Sequence, residues 1–227
     1  MTGDYTRSIS DYDKAIILNP NDAEAYYNRG MAHYKLGNFD KAIDDFGKVI
    51  ELDPNDALTY HNRGSLYTRQ RKYNKAIVDC TKAIELEPAN AVAYHNRGVA
   101  YSNSGDNDNA IADYDKAIEL DPKLEMAYHN RVLALSTKGD HDRIISDCTK
   151  AIELDPRNAV AYSNRGLSYF YKGDNNKAIA DCTKAIELDP TYALAYNNRA
   201  QAYRAIGEDH KAVRDLDKSL ELQIGHR

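Results

Sequence analysis

The sequence predicts an all-α solenoid of antiparallel helix pairs, with six 34-residue repeats preceded by one half-repeat helix. Three observations carry that prediction. The pattern Tyr-x-Asn-Arg begins at Tyr26, Tyr60, Tyr94, Tyr128, Tyr162 and Tyr196, each 34 residues after the last. Pro20, Pro54, Pro88, Pro122, Pro156 and Pro190 keep the same step and are all the prolines in the chain. No insertion breaks the register. A fixed period of this length marks stacked repeats, each burying its apolar face on its neighbours.

The array opens with a lone helix over residues 4–20. Its helical pattern runs from Asp4 to Leu18, with Ile9, Tyr12, Ile16 and Ile17 on the apolar side. Asp11 falls where Asp45 recurs, which aligns this helix with the second half of the later repeats. Complete repeats follow over 23–56, 57–90, 91–124, 125–158, 159–192 and 193–222, giving one array over 1–227.

Each repeat reads as two helices. Asp22, Asp56, Asn90 and Asn158 stand just past the prolines, where their side chains cap free backbone N–H groups. A first helix follows, as in Ala23 to Leu36. It stops at Gly37, Gly105, Gly139, Gly173 or Gly207, where a left-handed residue closes a helix. Arg71 takes the place of that glycine in the second repeat, so the turn there either differs or is strained. Asp40, Asn74, Asp108, Asp142 and Asn176 are expected to cap the second helix, which ends at the proline that cannot continue it.

Glycine inside a helix costs about 1 kcal/mol relative to alanine. Gly30, Gly64, Gly98 and Gly166 are therefore expected where a partner helix comes close, opposite Ala42, Ala76, Ala110 and Ala178. The fourth repeat has Val132 and Ile144 at these two positions, which predicts a wider helix pair.

Composition narrows the function. A net charge of -5 and a pI near 5.8 argue against nucleic-acid binding. No apolar run suits a membrane span, and no signal peptide is legible, so cytoplasm is the default expectation. Any targeting segment of a longer precursor would lie outside this sequence. Cys80, Cys148 and Cys182 occupy one position of three repeats. Helices pack about 8–10 Å apart, while a disulfide needs Cα atoms within roughly 7 Å, so they read as core thiols. His61, His95 and His129 form a column spaced too widely to share a metal. No nucleophile–base arrangement and no phosphate-binding loop is present. No catalytic residue, metal or cofactor is expected, and the chain does not read as an enzyme.

These residues resemble the tetratricopeptide repeat in the period, the aromatic and Gly of the first helix, the Ala and aromatic-or-Cys of the second, and the closing Pro. The likeness covers about residues 4–222. It implies a right-handed superhelix whose first helices line a concave groove, in a family made chiefly of scaffolds that hold partner proteins. Arg29, Arg63, Arg97, Arg131, Arg165 and Arg199 depart from the family pattern, which usually has leucine there. Asp45 and its equivalents up to Asp215 recur in the second helices. Two readings follow: a ladder of interhelical ion pairs, or a row of arginines open to an acidic ligand.

Asn28, Asn62, Asn96, Asn130, Asn164 and Asn198 fall on the groove side of the first helices. An amide offers a donor and an acceptor, so a column of them suits an extended peptide backbone. A similar asparagine ladder lines the repeats of the glycosyltransferase that adds N-acetylglucosamine to serine and threonine, though nothing here resembles its catalytic region. The other reading is that these amides only solvate the groove or bond neighbouring helices. His61, His95 and His129 stand beside them, and Val99, Leu133, Leu167 and Phe170 add an apolar strip. The lysines and arginines that clamp a chaperone's acidic tail are replaced by Tyr27, His61, Val92 and Met126. The expected function is a protein-interaction scaffold that takes a weakly charged peptide. The alternatives are self-association through the terminal helices, or service as a regulatory arm of a larger enzyme.

Overall fold

A computed structural model describes residues 2–224, with side chains from Asp4 onward. The described residues form thirteen helices and no strand, in two compact units divided between Leu120 and Asp121. The first unit contains α1 (Thr2–Leu18), α2 (Ala23–Lys35), α3 (Phe39–Leu52), α4 (Ala57–Arg69), α5 (Tyr73–Leu86), α6 (Ala91–Ser104) and α7 (Asn107–Leu120). The second contains α8 (Glu125–Ser136), α9 (His141–Leu154), α10 (Ala159–Tyr171), α11 (Asn175–Leu188), α12 (Ala193–Ala205) and α13 (Asp209–Ile224). Within each unit every first helix packs on the second helix of its own repeat, and each second helix packs on the next first helix. This is the all-α solenoid of helix pairs that the period predicts. No helix among the described residues is long and apolar enough to cross a membrane.

The helix ends follow the capping chemistry with one correction. Asp22, Asp56, Asn90 and Asn158 accept backbone N–H bonds from Ala25, Thr59, Ala93 and Ala161. The second helices start earlier than expected, which places Asp40, Asp108 and Asp142 inside the first turn. Where a side chain caps them it is Asp106, Asp140 or Asp174, two residues upstream. The left-handed glycine reverses the chain so sharply that the helix begins directly after the next residue.

Arg71 adopts φ 58°, and it is the only non-glycine with positive φ among the described residues. The second repeat therefore keeps the glycine turn and bears its strain. A Cβ in the left-handed region costs roughly 1–2 kcal/mol, partly offset by the greater backbone entropy of unfolded glycine. Arg71→Gly is expected to stabilise the chain by about 0.5–1 kcal/mol, read as a raised urea midpoint with an unchanged m-value.

The core is a column of small interfaces. Ala42 and Phe46 meet Leu66, and Ala83 and Ile84 meet Ala93 across neighbouring repeats. Cys80, Cys148 and Cys182 are buried and free, and burial pushes each thiol up to about 12. α8 is the shortest of the described helices. Val132 and Ile144, both buried, fill the space that Gly and Ala leave elsewhere.

Candidate functional site

The arginine column is structural. Arg29, Arg63, Arg97, Arg131, Arg165 and Arg199 each donate Nε and Nη2 to the two carboxylate oxygens of Asp45, Asp79, Asp113, Asp147, Asp181 and Asp215. These distances run from 2.5 to 3.0 Å. A bidentate carboxylate suits the planar guanidinium fork, and both groups are withdrawn from water. Hydrogen bonding to the aspartate pushes the guanidinium groups of Arg29, Arg63, Arg97, Arg165 and Arg199 above their ordinary value. A third bond reaches back to the preceding repeat: Nη1 donates to Asp13 from Arg29 and to Thr81, Thr149 and Thr183 from Arg97, Arg165 and Arg199. One arginine thus joins three helices. Its Tyr neighbour three residues upstream covers the guanidinium, 5.4 Å from the Tyr26 ring centroid in the first repeat. Of the two sequence readings, the ladder of ion pairs is the one the geometry supports.

The asparagine column divides. Asn62 donates to the Tyr27 hydroxyl at 3.1 Å, Asn96 to Ser65 Oγ at 3.0 Å, and Asn198 to Ser163 Oγ at 3.1 Å. Each acceptor lies on the preceding first helix, so these amide N–H groups bolt adjacent repeats together. Asn198 is buried as well. Asn28 and Asn164 are half-buried, and neither makes a side-chain hydrogen bond among the described residues. Their amides are not committed to a neighbouring helix among the described residues. Asn130 lines an open cavity of about 360 Å³ with Glu125, Met126, His129 and Asn158.

The histidine column divides in the same way. His95 is only 5% exposed, packs 5.9 Å from the Tyr114 ring and bonds the Asn96 carbonyl at 3.1 Å. Burial lowers it below the ordinary imidazole range, and the bond to Asn96 opposes that shift. His61 is half-buried and is also lowered, by burial first and then by His95. His129 is exposed. His61 in the first unit and His129 in the second are thus more accessible than His95, which is buried.

The apolar strip is partly open. Leu58 and Val92 in the first unit, and Met126, Leu133 and Leu194 in the second, are 41–56% exposed. Val99, Leu167 and Phe170 are half-buried. Phe170 also lines a cavity of about 150 Å³ with Ala200, Gln201, Arg204 and Leu216. Sequence reasoning missed the acceptors Tyr27, Ser65 and Ser163. The offset of 35 or 31 residues between asparagine and hydroxyl was a legible signal. A cavity of about 720 Å³ lies among the charged side chains of α12 and α13 and does not include the asparagine column. No group of three or more His, Cys, Asp or Glu among the described residues is placed to hold a metal ion.

Comparison with known proteins adds a family and a set of folds. A family model described as tetratricopeptide repeat matches residues 23–56, 57–90, 91–124 and 159–192, more than half of the chain. Related repeat models match 2–37, 127–158 and 182–214. Among solved structures, YrrB is described as a TPR protein with an unusual peptide-binding site. It is 27% identical, with a TM-score of 0.71, over 81% of this chain and 95% of its own. The MamA protein is 30% identical, with a TM-score of 0.70, over 75% of this chain and 93% of its own. The C-terminal part of a TPR repeat-containing protein from Cytophaga hutchinsonii shares the fold, with a TM-score of 0.74 at 22% identity over 88% of this chain and 80% of its own. No curated protein sequence matches the chain.

Proposed function

The chain belongs to the tetratricopeptide repeat family and is a protein–protein interaction scaffold, and from that premise we propose that its first-helix face holds an extended, weakly charged peptide. The observation that carries this reading is the open apolar column beside unspent amides. Leu58 and Val92 in one unit, and Met126, Leu133 and Leu194 in the other, stand exposed on first helices. Exposed apolar side chains that recur in register mark an interaction surface more often than chance scatter does. In this reading Asn28 and Asn164 each pair with a peptide N–H and C=O, because their amides are not committed to a neighbouring helix. Within its own unit, His61 or His129 stands beside the peptide, and the exposed apolar side chains of that unit take its alternate side chains. The peptide-binding site of YrrB, at 27% identity, supports the same use of the fold.

The test is an array of extended peptides probed with the wild-type chain and with Met126→Asp/Asn164→Ala. Met126 is exposed, and Asn164 is half-buried with no side-chain hydrogen bond among the described residues, so circular dichroism should be unchanged. Binding is expected to weaken at least tenfold, equivalent to about 1.4 kcal/mol. An array pattern of undiminished strength would rule the face out.

A further inference from the structure

The fourth repeat departs from the others at the start of its first helix. Five repeats begin that helix with alanine, at Ala23, Ala57, Ala91, Ala159 and Ala193, and the fourth begins it with Glu125. Ala57 and Ala91 are buried, whereas Glu125 is exposed. Its Oε1 accepts from Asn158 Nδ2 at 3.0 Å, which holds the carboxylate between the starts of α8 and α10. Asn158 is fixed in turn, because its Oδ1 caps α10. A carboxylate at a helix start is favoured by the helix dipole alone. Glu125, however, makes its bond to the cap of α10, although α8 has no side-chain cap of its own at Leu124.

Both side chains line the cavity of about 360 Å³ that also has Met126, His129 and Asn130 in its wall. No lysine or arginine lines that cavity, so the Glu125 charge is not neutralised from within it. We infer that this cavity takes a lysine or arginine side chain of a bound peptide, with the stem along Met126 and the cationic end on Glu125 Oε2. The inference rests on the groove proposed above and names one residue of its ligand. A long basic side chain has the two parts that this lining asks for, an apolar stem and a charged head. Asn158 already holds the carboxylate, so little side-chain freedom is lost when the cation arrives. First helices of neighbouring repeats lie about 10 Å apart, and an extended peptide advances about 3.3 Å per residue. The basic residue therefore stands about three positions from the one paired with Asn164 on α10. In the first unit Ala57 and Ala91 bring no charge to the equivalent positions, so the preference belongs to the second unit.

The probe is a set of immobilised extended peptide sublibraries that share a degenerate background of valine, leucine, serine, threonine and asparagine. One position is fixed as lysine, arginine or norleucine. The intact chain should be retained at least threefold better by the lysine or the arginine sublibrary than by the norleucine one, the scale of a solvent-accessible ion pair. Glu125→Gln keeps an acceptor for Asn158 and removes only the charge, so it should bring that ratio to about one. Glu125→Ala, which installs the residue of the other five repeats, should do the same. A ratio near one in the wild-type chain, or a ratio that survives Glu125→Gln, would overturn the inference. Failure of the groove reading has a different signature, since Met126→Asp/Asn164→Ala would then leave retention by the norleucine sublibrary undiminished. If no sublibrary retains the chain, both fall together.

Discussion

Arg97→Leu is expected to destabilise the third repeat by about 3 kcal/mol, the lower part of the range for removing one partner of a buried ion pair. The loss comes from what remains. Asp113 is buried between α6 and α7, and its two oxygens bond the guanidinium at 2.7 and 2.8 Å. Without Arg97 the carboxylate stays charged in a poor solvent or takes up a proton, and both outcomes cost free energy. The bond from Nη1 to Thr81 on α5 is lost as well. Neighbour-coupled repeats distribute such damage locally, so hydrogen exchange should rise first in α6 and α7. Urea unfolding followed by circular dichroism gives the magnitude.

Two companion variants separate charge from geometry. Arg97→Lys keeps the positive charge but cannot present the planar fork or reach α5 at the same time, so it should recover only part of the loss. Arg97→Leu/Asp113→Leu removes both charges. It should be less destabilised than the single variant, because no carboxylate is left stranded. If Arg97→Leu were neutral, the ladder would be ornament on a helix pair held by packing alone.

The ladder also shows how far a sequence can be read. A period of 34 residues set the helix count, the pairing and the aspartate that each arginine meets, because every repeat solves the same packing problem in the same way. The second-helix caps could not be placed from composition, since Asp40 and Asp108 look like caps until the left-handed turn moves the helix start two residues upstream. The asparagine column was legible as a column, and its use was not. Whether an amide faces a ligand or a neighbour depends on the single residue 35 or 31 positions earlier. That residue is Tyr27 for Asn62, Ser65 for Asn96 and Ser163 for Asn198, and each provides a hydroxyl acceptor. For Asn164 the residue 35 positions earlier is His129, which is exposed and accepts no hydrogen bond from it. Periodicity reports what repeats share, and the function proposed here rests on where they differ.

The close approach of α6 and α7 yields the second large effect. Gly98→Val is expected to cost about 2–3 kcal/mol, the upper part of the usual range for overpacking. A Cβ at Gly98 would lie 2.7 Å from Tyr114 Cε1 and 3.2 Å from the Ala110 carbonyl. The ring is buried and cannot swing away, and the carbonyl is backbone. Valine's gain in helix propensity over glycine, well under 1 kcal/mol, does not offset this. The fourth repeat shows what accommodation takes. There Val132 sits with Cys148 in place of a tyrosine, and both are buried. Gly98→Val/Tyr114→Cys copies that solution, so its destabilisation should fall short of the sum of the single variants by about 1 kcal/mol or more. Strict additivity in urea unfolding would mean that the ring is not what holds glycine at position 98.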